Sequence, residues 1–410
     1  MADPTPEKSA DDGPPLASVH TTSLPDLLDQ LRISVLVSTY QAGKLIVVRS
    51  EGGRVNTHFR NFQTPMGLAL AGDRLAIGTR TQVLQYQNQP PLAPKLPPAA
   101  RPHDACFVPR LAHTTGNIGV HELAYVNGEL WVVNTRFSCL CTLADDASFV
   151  PRWRPPFISG LAPEDRCHLN ALGLRDGAIR YVTALGETDE PAGWRATKAT
   201  GGLLMEVGRI SEPDAPARVG ANTLAGASGS EGTRVICRNL SMPHSPRWHA
   251  GRLWVLESGA GSISVVDEST GQLTHVTLLP GFTRGLDFVG PYAFIGLSQV
   301  RESAVFSGIP ITERLSENER ACGLWVVDVR TGQTVAFLRF ESGVQEVFAV
   351  QVLPNVLYPE FLTEEADEEL KLLADAFVLP AAAMADVQPV RKPVETNSEG
   401  GATNASSRQA

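Results

Sequence analysis

The feature that most constrains this chain is a hairpin unit that keeps returning. "PMGLALAGDRLAIG" at 65–78 aligns without a gap to "PHSPRWHAGRLWVL" at 243–256. In each, a strand meets a tight turn and reverses into a second strand. The plan recurs in "HELAYVNGELWVVNT" at 121–135, "HLNALGLRDGAIRYVTAL" at 168–185 and "RGLDFVGPYAFIGLS" at 284–298. Asn127-Gly128 and Asp176-Gly177 are pairs that accept the positive φ of a two-residue hairpin. A sixth unit is divided. "QEVFAVQVLP" at 345–354 has a first strand and no return, and "ISVLVSTYQAGKLIVVR" at 33–49 has the returns and no first strand.

A divided unit makes physical sense when the two ends of the chain pair with each other, because a closed ring leaves no open sheet edge. The expected fold is therefore all-β: a six-bladed β-propeller, four strands per blade, closed by pairing of its N- and C-terminal strands. A β-sandwich is the competing arrangement, but similar hairpins at spacings of roughly 40–75 residues read as blades. A seventh blade has room only in 186–235, where "GGLLMEVGRI" reads as an outer strand of the third blade. The expected boundaries are a disordered tail at 1–22, the propeller at 23–358, a short acidic helix within 359–377 and a disordered tail at 378–410.

Composition excludes several function classes. The 410 residues carry a net charge of −9, which argues against a partner with a phosphate backbone, so no nucleic acid is expected. No apolar run is long enough to span a membrane, so no membrane partner is expected. The N-terminal segment is polar and acidic without a signal pattern, and a cytoplasmic location is the expectation. The six cysteines are scattered. Only Cys139 and Cys141 are close, without a second pair at zinc-site spacing, so reduced thiols are expected. There is no phosphate-cradling GxxxxGK[ST] loop and no GxSxG elbow.

Propeller geometry then sorts the polar residues. First strands line the channel and begin at one face. Their opening residues converge there: Met66, His121 and Glu122, His168 and Asn170, His244 and Ser245, Arg284, and Gln345 with Glu346. Loops after the second strands reach the same face, with Tyr40, Gln41, Arg80, Asn134, Arg136, Glu187, Glu257, Arg301 and Glu302. The turns at the other face are short and generic, so function is expected on the richer face.

Neutral imidazoles with a carboxylate suit one divalent metal ion, and His121, His168 and His244 are its expected ligands. Glu122 or Glu346 is the expected general base, and Arg284 the group that holds an anionic substrate. Asn134, Arg136, Asn170, Ser245, Arg301 and Glu302 are expected binding residues. The approaches holding His103, Asp104 and His113, and the segments 157–170 and 305–314, are lids or plain connections. The implied chemistry is metal-assisted hydrolysis, elimination or isomerisation of a small anionic molecule bound in the channel. The alternative is a non-catalytic module that grips a protein or peptide partner. A one-residue slip in register exchanges the faces of a strand, so the choice between His168 and Asn170 at the axis stays open.

The segments "LVSTYQAGKL", "NFQTPMGLAL", "GNIGVHELAY", "WVVNTRFSCL", "CHLNALG", "MPHSPRWH", "GFTRGLDF" and "LSQVRES" together resemble a bacterial family of conserved hypothetical proteins, a domain of unknown function. The resemblance spans about residues 30–355. It implies a propeller-like fold and marks the histidine segments as family signatures. It brings no established activity.

Overall fold

Six four-stranded antiparallel units surround a central channel in the computed structural model, which describes residues 16–208, 210, 232–300, 307–363, 367–374, 376–379, 382–383 and 387. From axis to rim, blade 1 runs Leu68–Ala71, Arg74–Gly78, Gln82–Asn88 and Ala105–Thr114. Blade 2 runs Val120–Val126, Glu129–Asn134, Cys139–Ala144 and Ala147–Trp153. Blade 3 runs Leu169–Arg175, Ala178–Ala184, Gly202–Glu206 and Arg234–Leu240. The stretch that could have held a seventh blade thus supplies the outer strands of the third.

Blade 4 runs Pro243–His249, Arg252–Glu257, Ser262–Val266 and Leu273–Leu278. Blade 5 runs Phe282–Val289, Tyr292–Ser298, Cys322–Asp328 and Gln333–Phe340. Blade 6 is the shared one: Ala349–Pro354 lies at the axis, and Ile33–Thr39, Lys44–Glu51 and Arg54–Asn61 complete it. The closing seam pairs Ile33 with Pro354 and Ser38 with Ala349.

The core lies between blades. Val133, Leu140 and Trp153 of blade 2 meet Leu169, Leu172 and Val182 of blade 3. Phe294, Leu324 and Val326 of blade 5 meet Val35, Ile46 and Val48 of blade 6. Each such side chain contributes about 1.5–3 kcal/mol by leaving water. All six cysteines are buried free thiols.

Both ends continue past the seam and latch onto a neighbour. Ser18–His20 adds an antiparallel edge strand to Gln333–Phe340 of blade 5. Leu24 and Leu28 of the helix Ser23–Leu31 pack into the cluster between blades 5 and 6. Pro359–Phe361 pairs in parallel with Ala105–Phe107 of blade 1. Beyond it, the helix Asp367–Ala374 is held by an ion pair of Glu369 with Arg60, 2.8 Å long. Residues 16–22, assigned to the N-terminal tail from composition, are therefore ordered. A three-residue strand is too short to show a period of two.

The inner strands of blades 2–5 share a local irregularity at their upper ends. Leu123 pairs with Val132, but Val120 pairs with Asn134. Arg247 pairs with Trp254, but His244 pairs with Leu256. Leu286 pairs with Ile295, but Thr283 pairs with Leu297. Ala171 and Leu169 of blade 3 pair with Thr183 and Ala184. Each is a β-bulge: one extra residue on the inner strand, a bend, and a redirected side chain. Ser245 and Gly285 at bulges have positive φ, 50° and 76°. Gly285 is required for a second reason, since a Cβ there would lie 2.6 Å from the Val350 nitrogen of the next inner strand.

Candidate functional site

The bulges turn polar side chains into a cavity of about 380 Å³ at the upper mouth of the channel. His121, His168, His244, Arg284 and Glu346 all line it, as expected from the order of the blades. Tyr40, Arg80 and Met66 line it too. Apolar walls come from Phe282, Phe348, Leu185, Met242 and Trp194.

Each histidine is held by its Nδ1. His168 has φ 50° and places Nδ1 3.0 Å from both carboxylate oxygens of Asp165. A carboxylate accepts, so Nδ1 carries the proton and Nε2 keeps its lone pair. Asp165 is fixed in turn by Trp194, whose Nε1 donates to Oδ2 at 3.1 Å. The Trp194 ring packs 4.4 Å from the His168 ring.

His121 places Nδ1 2.7 Å from Thr135 Oγ1, whose hydroxyl donates to the Leu169 carbonyl at 2.6 Å. The Thr135 proton is thus committed, and His121 Nδ1 is the donor. His121 Nε2 then accepts from Arg284 Nη2 at 3.0 Å. Burial, His168 and Arg284 together hold His121 well below the usual imidazole range. It is a neutral imidazole that positions a guanidinium.

Arg284 also donates to Glu346 Oε1 at 2.9 Å and lies 3.5 Å over the Phe348 ring. Burial lowers its pKa, and Glu346 opposes that shift. Glu346, expected as a general base, is thus the counter-ion of Arg284. Arg80 and Arg195 at the rim are exposed and form no ion pair among the described residues.

The metal reading fits this arrangement poorly. His121, one of three expected ligands, spends its lone pair on a cation. A divalent ion at that nitrogen would sit against the Arg284 guanidinium, like charge on like charge. Among the described residues no three His, Cys, Asp or Glu side chains are arranged to hold a metal ion.

Other expected residues lie elsewhere. Glu122 sits lower in the channel, where Oε1 accepts from Arg247 and Oε2 accepts from the Leu172 N–H at 3.0 Å. It braces the ring and does not line the upper cavity. Asn170 is 2 % exposed and bridges blades, donating to the Pro243 carbonyl and accepting from Thr183. Asn134 caps the following turn through the Phe137 N–H. Arg136 joins two loops through the Pro163 and Asn117 carbonyls. Ser245 lines a void of about 20 Å³ beneath the histidines. Arg301 and Glu302 lie outside the described residues.

His103 and Asp104 belong to the outer latch, not the mouth: His103 packs on Tyr358, and Asp104 accepts from the Leu357 and Tyr358 N–H groups. His113 faces the Ser148 carbonyl on an outer strand. Of the segments read as lids or connections, 157–170 does reach the mouth, through Asp165.

Sequence reasoning passed over Asp165, Trp194 and Arg195. Asp165 had a signal, three residues ahead of His168 in "PEDRCHLN". Trp194 and Arg195 had none, since the short 3-10 turn Gly193–Thr197 carries no periodicity.

A family model described as "Domain of unknown function (DUF4915)" matches residues 22–211 and 229–362. No curated protein matches the chain. Among solved structures, the chain is similar to one titled "Crystal structure of Nidogen/Laminin Complex", at 7 % identity and a TM-score of 0.49, covering 79 % of this chain and 99 % of that one. It is also similar to one titled "Streptogramin B lyase structure", at 10 % identity and a TM-score of 0.39, covering 75 % and 90 %. No helix among the described residues is long and apolar enough to cross a membrane.

Proposed function

We propose that in this chain, which belongs to the DUF4915 family, the upper cavity binds a small anionic molecule and removes a proton from it. The observation that carries this is the Asp165–His168 pair, 3.0 Å apart, with His168 Nε2 left to the cavity. A carboxylate that fixes the tautomer and steadies the imidazolium is the arrangement a histidine base needs.

The charges supply the substrate class. Arg284 is balanced by Glu346, and Asp165 is engaged by His168 and Trp194. Among the described residues Arg80 and Arg195 form no ion pair at the rim, so an anion is attracted. Arg284 keeps N–H groups to spare and sits on the floor, where it can stabilise negative charge that develops as the proton leaves. Elimination, isomerisation and hydrolysis by an activated water all begin with such a step. The apolar walls favour a ligand with a hydrophobic portion beside its anionic group.

The test is calorimetric titration with a panel of carboxylates and phosphate monoesters. Those that bind are then followed by proton NMR in D2O for loss of a C–H signal or appearance of product. At least one anion is expected to bind, about tenfold more weakly to an Arg80→Ala/Arg195→Ala double variant. Turnover is expected to fall by about 10²–10⁴-fold in His168→Gln. Failure of every anion to bind, or turnover by His168→Gln at the native rate, would overturn the reading.

A further inference from the structure

His244 differs from the other two histidines in what it has left over. Its Nδ1 lies 3.0 Å from the Met242 carbonyl and 2.8 Å from Ser258 Oγ. The Ser258 hydroxyl already donates to the Thr283 carbonyl. Both neighbours of Nδ1 are therefore acceptors, and Nδ1 must carry the proton. The residue is 4 % exposed, its ring meets the edge of Phe282, and it lines the cavity. Nε2 has no protein partner among the described residues.

His168 has a carboxylate behind it to steady a positive charge. His244 has a neutral carbonyl and a hydroxyl instead. Burial and the nearby Arg284 both disfavour its charged form. His121, packed at 6.5 Å between ring centroids, brings no negative charge either. His244 therefore offers the ligand a lone pair, and no proton, at Nε2. An acceptor fixed in this way reads a donor on the ligand.

We infer that His244 Nε2 accepts a hydrogen bond from a hydroxyl group of the bound anion, so that the site selects hydroxy acids over the corresponding deoxy acids. This rests on the reading of the cavity as an anion site. The class follows from three elements around the cavity: guanidinium groups for the carboxylate, His168 for the proton that is removed, and His244 for the hydroxyl. Without the hydroxyl, His244 Nε2 would be desolvated and left unpaired, which is a costly outcome for a buried polar atom. Apolar isosteres are rejected on that ground more strongly than pocket shape alone could reject them.

The test uses matched pairs of probes that differ by one hydroxyl: phenyllactate against phenylpropionate, and malate against succinate. Binding to the full chain is measured by calorimetry at fixed salt and pH. The hydroxylated member of a pair is expected to bind at least tenfold more tightly. His244→Phe is expected to abolish that preference, in part by tightening the binding of the deoxy acid, since no buried acceptor is then left unpaired. His244→Asn, which keeps an acceptor, is expected to restore part of it.

Equal binding of both members to the native protein would overturn the inference and leave the anion site standing. A preference retained in His244→Phe would do the same. Failure of all four acids, and of the wider anion panel, would overturn the anion site itself and the inference with it. Circular dichroism of each variant separates a lost contact from a lost fold.

Discussion

Two half-buried arginines lie on the inner strands of neighbouring blades, and they spend their donors differently. Arg247, at the bulge of blade 4, donates to the carbonyls of Leu286, Leu172 and Pro246 and to Glu122. Those partners lie on the inner strands of blades 2, 3, 4 and 5, so the side chain ties the ring across its middle. Arg284, at the bulge of blade 5, donates to Glu346 and to His121, leaving three of its five N–H groups without a protein partner among the described residues. Both arginines are paired with a carboxylate. Arg247 thus commits four of its five N–H groups to protein partners, and Arg284 two. A charged pair at a propeller axis points to ligand chemistry when most of that capacity remains unspent, and to bracing when nearly all of it is committed.

The contrast can be broken most sharply through stability. Arg247→Met leaves Glu122 buried without its cation and strands the carbonyls it served. The expected loss is about 3–5 kcal/mol, read as a lower midpoint in urea denaturation. Arg284→Met removes fewer bonds, and Glu346 stands at the more accessible end of the channel. The expected loss is about 1–3 kcal/mol, with anion binding abolished. Equal destabilisation by the two variants would erase the distinction between brace and site.

A third arginine–carboxylate couple, at the outer latch, sharpens the comparison because it faces no channel. Burial alone would push the Glu360 carboxyl up, but the hydrogen bond from His58 and the charges of His58 and Arg60 outweigh it and bring the group to about 2. Its value in the unfolded chain is near the ordinary 4.5. A group depressed on folding stabilises the fold above its unfolded pKa, and that contribution drains away as pH falls through the folded one. The latch is therefore expected to weaken between about pH 4.5 and pH 2. Native protein should lose stability across that window in acid titrations followed by circular dichroism, and Glu360→Gln should flatten the slope. An unchanged slope would remove Glu360 from the account of acid sensitivity.

The smallest effect on the fold is expected at the rim. Arg80→Ala removes an exposed side chain with no ion pair among the described residues, so stability should change by no more than about 0.5 kcal/mol. Anion affinity should still fall several-fold, and its salt dependence should flatten, as measured by titration at low and physiological ionic strength. Undiminished affinity would confine anion recognition to the floor of the cavity.

Much of this architecture was legible before any coordinates. The five complete hairpins and the divided sixth unit predicted the blades and the seam that pairs Ile33–Thr39 with Ala349–Pro354. Their order also brought His121, His168, His244, Arg284 and Glu346 to one mouth. Glu122 and Asn170 were legible as channel residues, but their roles were not. Each is adjacent, or nearly so, to a histidine in sequence, and the bulge decides which neighbour looks up and which looks down. The segment with His103 proved to be a connection rather than a lid: His103 packs on Tyr358, just ahead of the latch strand Pro359–Phe361, which is too short to be read.

What the sequence determined by itself rests on local chemistry. Alternating apolar residues, turn pairs that accept positive φ and a split unit at the chain ends specify blades and closure, because strands and hairpins are encoded within a few residues. What only the tertiary structure decided rests on groups far apart in the chain. Arg284 meets His121 across 163 residues, and Arg247 meets Glu122 across 125. Those meetings fix which nitrogen of each imidazole holds the proton and which lone pair is already taken. A residue type and its spacing carry no record of that, since a hydrogen bond is settled by the geometry of both partners at once.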